Sequence, residues 1–178
     1  MAEGHAGVDA AMTDVAVWRR SFRPLGGVDE ARECARMMAE SEPWITLQRD
    51  LTSALSVLED PTKEVLVARD DQSVAGFIIL DLHGPFPGYI QTICVRPACR
   101  GQGLGTALLE WAEARIFRES PNVFLCVSSF NPAAKRLYDR LGYQMVGTLY
   151  SYVVPGLDEY LLRKTLGSWT EFRRGLAR

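Results

Sequence analysis

The chain has 178 residues, 47% of them apolar, which suits one domain with a sizeable core and requires no second one. Its 20 basic and 22 acidic side chains leave a net charge of −2, so bulk electrostatics argues for neither a nucleic-acid nor a membrane partner. Cys34, Cys94, Cys99 and Cys126 form no CxxC pair and no zinc-like spacing with His5 and His83; they read as reduced, mostly buried thiols of a cytoplasmic protein.

Residues 1–13 carry neither the basic start nor the apolar run of a secretory signal and read as a flexible N-terminal extension. No run approaches the ~20 apolar residues of a membrane span. Val15, Val17 and Trp18 open a first strand that ends where Pro24, Gly26 and Gly27 mark a loop. A helix is expected over Val28 to Ser41, with Asp29 and Glu30 complementing its dipole, and Pro43 breaks it. A second is expected from about Leu47 to Leu58, its stripe marked by Leu47, Leu51, Ala54, Leu55 and Leu58. Strands follow at Glu64 to Arg69, Ser73 to Leu82 and Tyr89 to Val95, separated by Asp70-Asp71 and by a turn rich in Gly and Pro. A run of strands rather than strict alternation with helices predicts a mixed sheet.

The stretch from Ile93 to Leu109, ICVRPACRGQGLGTALL, organises the rest. Pro97 cannot sit in a central ladder, so the strand ends near Arg96, and from Leu104 the residues Leu104, Leu108, Trp111 and Ala112 share one helical face. Gly101, Gly103 and Gly105 therefore lie in or just before the first helical turn, where free N–H groups and the helix dipole make a seat for an anion. A nucleotide-hydrolase phosphate loop is excluded, because five residues after Gly101 stands Thr106 and no Lys follows. The dinucleotide fingerprint fails as well, since three residues after Gly103 stands Thr106 and no second strand supplies the acidic partner.

Downstream, Val123 to Ser128 reads as a strand leading into NPAAKRLYDRLGY, residues 131–143. Asn131 suits an N-cap, Pro132 the first helical position and Gly142 the left-handed residue past the end, while Ala134, Leu137, Tyr138 and Leu141 form one apolar stripe. Gln144 to Val154 and Asp158 to Thr165 read as a closing hairpin around Pro155-Gly156, and the tail from Gly167 is amphipathic and basic. The four cysteines offer core fillers in Cys94 and Cys126, and a turn residue in Cys99 that is expected to be exposed, with no basic cluster near it in sequence to lower its pKa.

Arg100-x-x-Gly103-x-Gly105 after a strand, followed by Asn131, Ala134, Leu137-Tyr138 and Leu141-Gly142-Tyr143, resembles the GNAT superfamily of N-acetyltransferases. The resemblance implies an α+β fold over residues 14–166: a mixed, mostly antiparallel sheet of about seven strands flanked by about four helices and splayed between the fourth and fifth strands, with 167–178 as a tail. It implies acetyl-CoA as co-substrate, its pantetheine arm bound by the backbone of Ile93, Cys94 and Val95. An N–H in the Ile93 region would donate to the oxyanion, and Asn131 would reach the arm. The pyrophosphate would be held by N–H groups of Gly101, Gln102, Gly103, Gly105 and Thr106, with Arg100 adding charge.

Tyr138 matches the family tyrosine that protonates the leaving thiolate, although its place on the apolar stripe also suits a core residue. The strand Glu that many members use as base is missing, the positions near it holding Tyr89, Gln91 and Thr92. Asp81, His83, Asp158 and Glu159 remain as candidates, beside a water relay or an amine already neutral. The implied activity is acetyl transfer to a primary amine of a small molecule, peptide or protein; the alternative is a non-catalytic regulatory module that binds the coenzyme. A homodimer through the closing strands or tail is compatible with both.

Overall fold

The computed structural model describes residues 18, 19 and 21–176. Seven strands form one sheet: β1 Phe22–Pro24, β2 Glu64–Arg69, β3 Val74–Asp81, β4 Tyr89–Val95, β5 Asn122–Ser128, β6 Gln144–Val154 and β7 Leu157–Thr165. Five helices longer than a turn accompany them among the described residues: α1 Val28–Ala39, α2 Leu51–Leu58, α3 Leu104–Ile116, α4 Pro132–Arg140 and α5 Trp169–Leu176. The strand order is β1-β2-β3-β4-β5-β7-β6, antiparallel except where β4 meets β5. The expected mixed sheet, splayed between its fourth and fifth strands, is what the chain forms.

Local signals set most boundaries. β4 and β6 fall on their expected residues, Asp50 caps α2 by accepting from Ser53 N–H at 2.8 Å, and Gly142 takes φ +86° past the end of α4. Two expectations are corrected. Trp18 is helical rather than the opening of a strand, and its indole N–H reaches the Gln102 carbonyl at 3.0 Å; β1 begins only at Phe22, while Val15 and Val17 lie outside the described residues. α2 begins at Leu51, because residues 43–48 form turns and Gln48 takes φ +56°, which a continuous helix from Leu47 does not accommodate.

Two cores pack on opposite faces of the sheet. One joins α3 and α4 to β3, β4, β5 and β7 through Ile78, Leu80, Ile90, Leu104, Leu108, Leu125, Tyr138 and Leu162. The other lies under α1 and α2 and draws on β2, β3 and β4, through Val67, Phe77, Ile79 and Cys94. No buried residue of β5, β6 or β7 belongs to that second core. On that face the two helices thus cover the first half of the sheet, and the β5-β7-β6 half has no helix packed on it among the described residues. No described helix is long and apolar enough to cross a membrane.

Candidate active site

β4 delivers the chain into a turn that is clamped from behind. The Arg96 N–H donates to the Ala75 carbonyl at 2.9 Å, and its guanidinium donates to the Asp70 carboxylate and Ser73 hydroxyl in the β2–β3 turn. The same guanidinium lies 3.1 Å from the Cys99 sulfur. Cys99 is therefore not the exposed turn thiol that its position suggests: it is only 5% exposed, and Arg96, three residues earlier, is the basic neighbour. A one-turn 3-10 helix, Pro97–Cys99, carries its side chain inward.

After this turn the backbone takes two left-handed steps, Gly101 at φ +75° and Gly103 at φ +77°. L side chains rarely adopt either, which is why glycine stands there. Gly103 is the N-cap of α3 and offers no side chain to the first-turn N–H groups, so those of Gly105 and Thr106 lie in a turn that nothing in the cap satisfies. A Cβ on Gly105 would meet only Leu137 at 3.7 Å and Val95 at 4.0 Å, so the protein alone would accommodate alanine there. The Gln102 side chain donates to the Ala98 carbonyl at 3.0 Å and holds the loop closed, and Arg100 Nε donates to the Val95 carbonyl at 3.1 Å.

The parallel pairing of β4 with β5 consists of Tyr89 opposite Phe124 and Ile90 opposite Leu125, and then stops. Immediately beyond, the β3–β4 register slips by one, so that Gln91 bulges between Ile90 and Thr92. From there Gln91 to Val95 and Cys126 to Ser128 face an opening instead of each other. Because the Arg96 N–H bonds across to β3, antiparallel alternation sends the main-chain groups of Cys94 and Thr92 to β3 as well and turns those of Ile93 and Val95 into the opening. Cys94 instead contributes a thiol that is 2% exposed and pushed up to about 12 by burial, a core residue.

α4 packs into the first core through Ala134, Leu137 and Tyr138, beside Ile93 and Val95. Asn131 Oδ1 accepts from the Ala134 N–H at 3.2 Å, which fulfils its capping role. Tyr138 is 5% exposed and packs edge-on against Tyr143, ring centroids 5.8 Å apart. Burial pushes its phenol well above the ordinary range, so it retains its proton. Its hydroxyl is nevertheless not among the side-chain atoms sealed from solvent without a partner, whereas that of Tyr143 is.

The four carboxylate and imidazole candidates separate clearly. Asp81 is paired with Lys63 at 2.5 Å and accepts from the His83 and Gly84 N–H groups, which together hold its pKa down. His83 is exposed in the loop after β3, and Asp158 accepts from the Ser151 N–H at 3.0 Å to shape the β6–β7 hairpin. Glu159 is different. It lies in β7 directly opposite Ser128 of β5, is 5% exposed, and accepts from the Ser128 hydroxyl at 2.6 Å. Burial raises its pKa. Tyr89 from β4 and Cys126 from β5 interact through phenol and thiol, and the Glu159 carboxylate lies within electrostatic reach of both.

Sequence reasoning missed Ser128 and Cys126 as neighbours of Glu159, because that register depends on β7 inserting between β5 and β6. One signal was available: Leu157, Glu159 and Leu161 share a strand face, and a carboxylate on that apolar face is out of pattern.

A glycine turn opens a helix beside two parallel strands that part after two residue pairs, leaving a cleft in the middle of the sheet. The chain matches the family model described as Acetyltransferase (GNAT) family over residues 27–143. It is 32% identical over 148 residues to an N-alpha-acetyltransferase, RimI, from Mycobacterium tuberculosis, covering 78% of this chain and 88% of that one. Among solved structures, a GNAT-family protein from Desulfovibrio desulfuricans superposes with a TM-score of 0.70 at 20% identity, over 82% of this chain and 98% of that one. NAA60 of Arabidopsis thaliana, solved with acetyl-CoA, gives a TM-score of 0.67 at 19% identity over 83% and 98% of the two chains. The chain belongs to the GNAT acetyltransferase family.

Proposed function

We propose that the acceptor of this N-acetyltransferase, which takes its acetyl group from acetyl-CoA, is the α-amino group of a peptide or protein. The observation that carries the reading is the bare β5-β7-β6 half of the acceptor-side face, bordered by β6 with Tyr150 79% and Tyr152 66% exposed. An open surface flanked by aromatic side chains fits a chain end better than an enclosed small molecule. The likeness to RimI, named for N-alpha acetylation and matched over 88% of its length, points the same way.

The residues suit the co-substrate. In this reading the turn N–H groups of Gly101, Gln102, Gly103, Gly105 and Thr106 hold the pyrophosphate, with the Arg100 guanidinium beside them. Main-chain groups of Ile93 and Val95 hold the pantetheine arm, and Asn131 lies at its edge. Bound acetyl-CoA supplies a thioester, an acyl carbon activated toward an amine. Tyr138 keeps its proton at neutral pH and gives it up only to a stronger base than water, which is what a departing thiolate is.

The test is thiol release from acetyl-CoA with three acceptor sets: peptides with free α-amines, the same peptides blocked at the N-terminus but carrying lysine, and small polyamines and aminoglycosides. Activity confined to the first set is expected. Turnover of the small amines with all peptides inert overturns the assignment.

A further inference from the structure

Three carboxylates inside the fold are nearly closed off from solvent, and two have cations. Glu30 is bridged by Arg23 at 2.6 Å and Arg69 at 3.0 Å, and Glu113 by Lys164 at 2.5 Å. Glu159 has none: among the described residues its only hydrogen-bond partner is the Ser128 hydroxyl. A buried carboxylate without a counter-ion is costly, and proteins rarely keep one without a use. Among the described residues its second oxygen, Oε2, has no hydrogen-bond partner, yet it is not among the buried polar atoms cut off from solvent, whereas Glu113 Oε1 is. Oε2 is thus the carboxylate oxygen with an acceptor site still to fill.

The position is telling. Ser128 ends β5, on the half of that strand that β4 has left, and Glu159 faces it across the β5–β7 ladder. Cross-strand partners share a face, so Glu159 and Ser128 stand with Cys126 on one side of the sheet, the α1–α2 side, beyond the core that those two helices cover. The titratable groups within electrostatic reach of Glu159 are the Tyr89 phenol from β4 and the Cys126 thiol from β5, both pushed up by burial and so protonated at neutral pH. Among the described residues no cation pairs with it.

We propose that Glu159, oriented by Ser128, receives the cationic amine of the acceptor and takes its proton before acetyl transfer. The inference rests on the proposed function. Primary amines arrive mostly as ammonium ions at neutral pH, and nitrogen has no lone pair to offer until one N–H bond breaks. That bond breaks with the electron pair staying on nitrogen, an O–H bond forms at Oε2, and solvent later accepts the proton from Glu159. Burial supports the role by making the carboxylate a stronger base than an exposed one. An α-amine, of pKa about 8, is deprotonated far more readily by a carboxylate than a lysine amine of about 10.4, which fits an α-amino acceptor.

The experiment compares wild type with Glu159→Gln and Ser128→Ala, using a peptide that wild type acetylates. Acetyl-CoA affinity is measured by calorimetry, kcat/KM for the peptide across pH, and the Glu159 carboxyl is titrated by carbon NMR in the free protein. Glu159→Gln is expected to bind acetyl-CoA within about twofold of wild type, to lose at least about a hundredfold in kcat/KM, and to lose the acidic limb of the profile. Ser128→Ala removes a donor that stabilises the charged carboxylate, so the acidic limb and the NMR titration should both move to higher pH by the same amount. If Glu159→Gln does not fold, that matched shift in Ser128→Ala decides alone. Glu159→Gln within about threefold of wild type, or a Ser128→Ala limb that stays in place while the NMR titration moves, overturns the proposal. Wild type that binds no acetyl-CoA, or acetylates no peptide, would instead break the proposed function beneath it.

Discussion

The two ends of the β4–β5 junction are separated by only a few residues and are built in opposite ways. At the closed end the Phe124 N–H donates to the Gly88 carbonyl at 3.0 Å, the Ser120 hydroxyl lies 3.0 Å from the Pro87 carbonyl and 2.9 Å from that of Asn122, and the Phe86 and Phe124 rings stand 5.1 Å apart. At the open end β4 bulges at Gln91, Ile93 and Val95 turn main-chain groups into a gap, and the side chains nearby are polar or titratable. One strand pair therefore supplies both a packed hinge and an unfinished edge. Packing is concentrated where the strands meet, and the proposed function places the binding chemistry where they part.

The sharpest way to break that contrast is Gly88→Ala. Gly88 has φ +91°, and a Cβ there would lie 2.5 Å from both the Asn122 carbonyl and the Ile116 side chain. Strain and overpacking together should cost about 3–5 kcal/mol, lowering Tm by roughly 10 °C, while the folded fraction binds acetyl-CoA normally. A Tm within about 2 °C of wild type would mean that the closed end yields easily. At the open end, Tyr138→Phe should do the reverse, reducing kcat about tenfold to a thousandfold with Tm and acetyl-CoA affinity nearly unchanged. Full turnover with the true acceptor would reduce Tyr138 to a core residue.

Smaller effects belong to the turn that joins the two regimes. Gly103→Ala forces an L residue to φ +77°, which should cost about 1–2 kcal/mol. In the proposed reading the same backbone presents N–H groups to the pyrophosphate, so acetyl-CoA affinity should fall about tenfold as well. Gly105→Ala is the control: the protein leaves ordinary room for its Cβ, so stability should hold while affinity drops. If both variants keep full affinity in calorimetry, the cradle lies elsewhere.

How much of this was legible follows from the range of the signals. The glycine turn before α3, Asn131 as a cap and the limits of β4 and β6 depend on residues adjacent in sequence, and they read directly. The burial of Cys99 was not legible, because it depends on Arg96 reaching back to Asp70 and Ser73 across a neighbouring turn. Trp18 read as a strand residue on its apolar neighbours, yet its indole answers to the Gln102 carbonyl, 84 positions away. Glu159 could be named as one of four candidates but not separated from Asp81 and Asp158. Lys63 neutralises the first and Ser151 engages the second, and both partners are set by tertiary structure.

Asn131 provides the finest test, because its two roles share one side chain. As the N-cap of α4 it accepts from the Ala134 N–H through Oδ1, and the coenzyme role would use the same amide. Asn131→Ala should lose about 1 kcal/mol of stability from the missing cap, which says nothing about the ligand. Asn131→Asp keeps an acceptor oxygen of the same reach and adds a negative charge that the helix N-terminus favours, so its Tm should match wild type. It also removes the NH2 donor. A twofold to fivefold loss of acetyl-CoA affinity in this variant, at unchanged Tm, would assign the donor to the coenzyme. Equal affinity in calorimetry would leave Asn131 as a cap alone and place that edge of the cleft among the parts that serve stability.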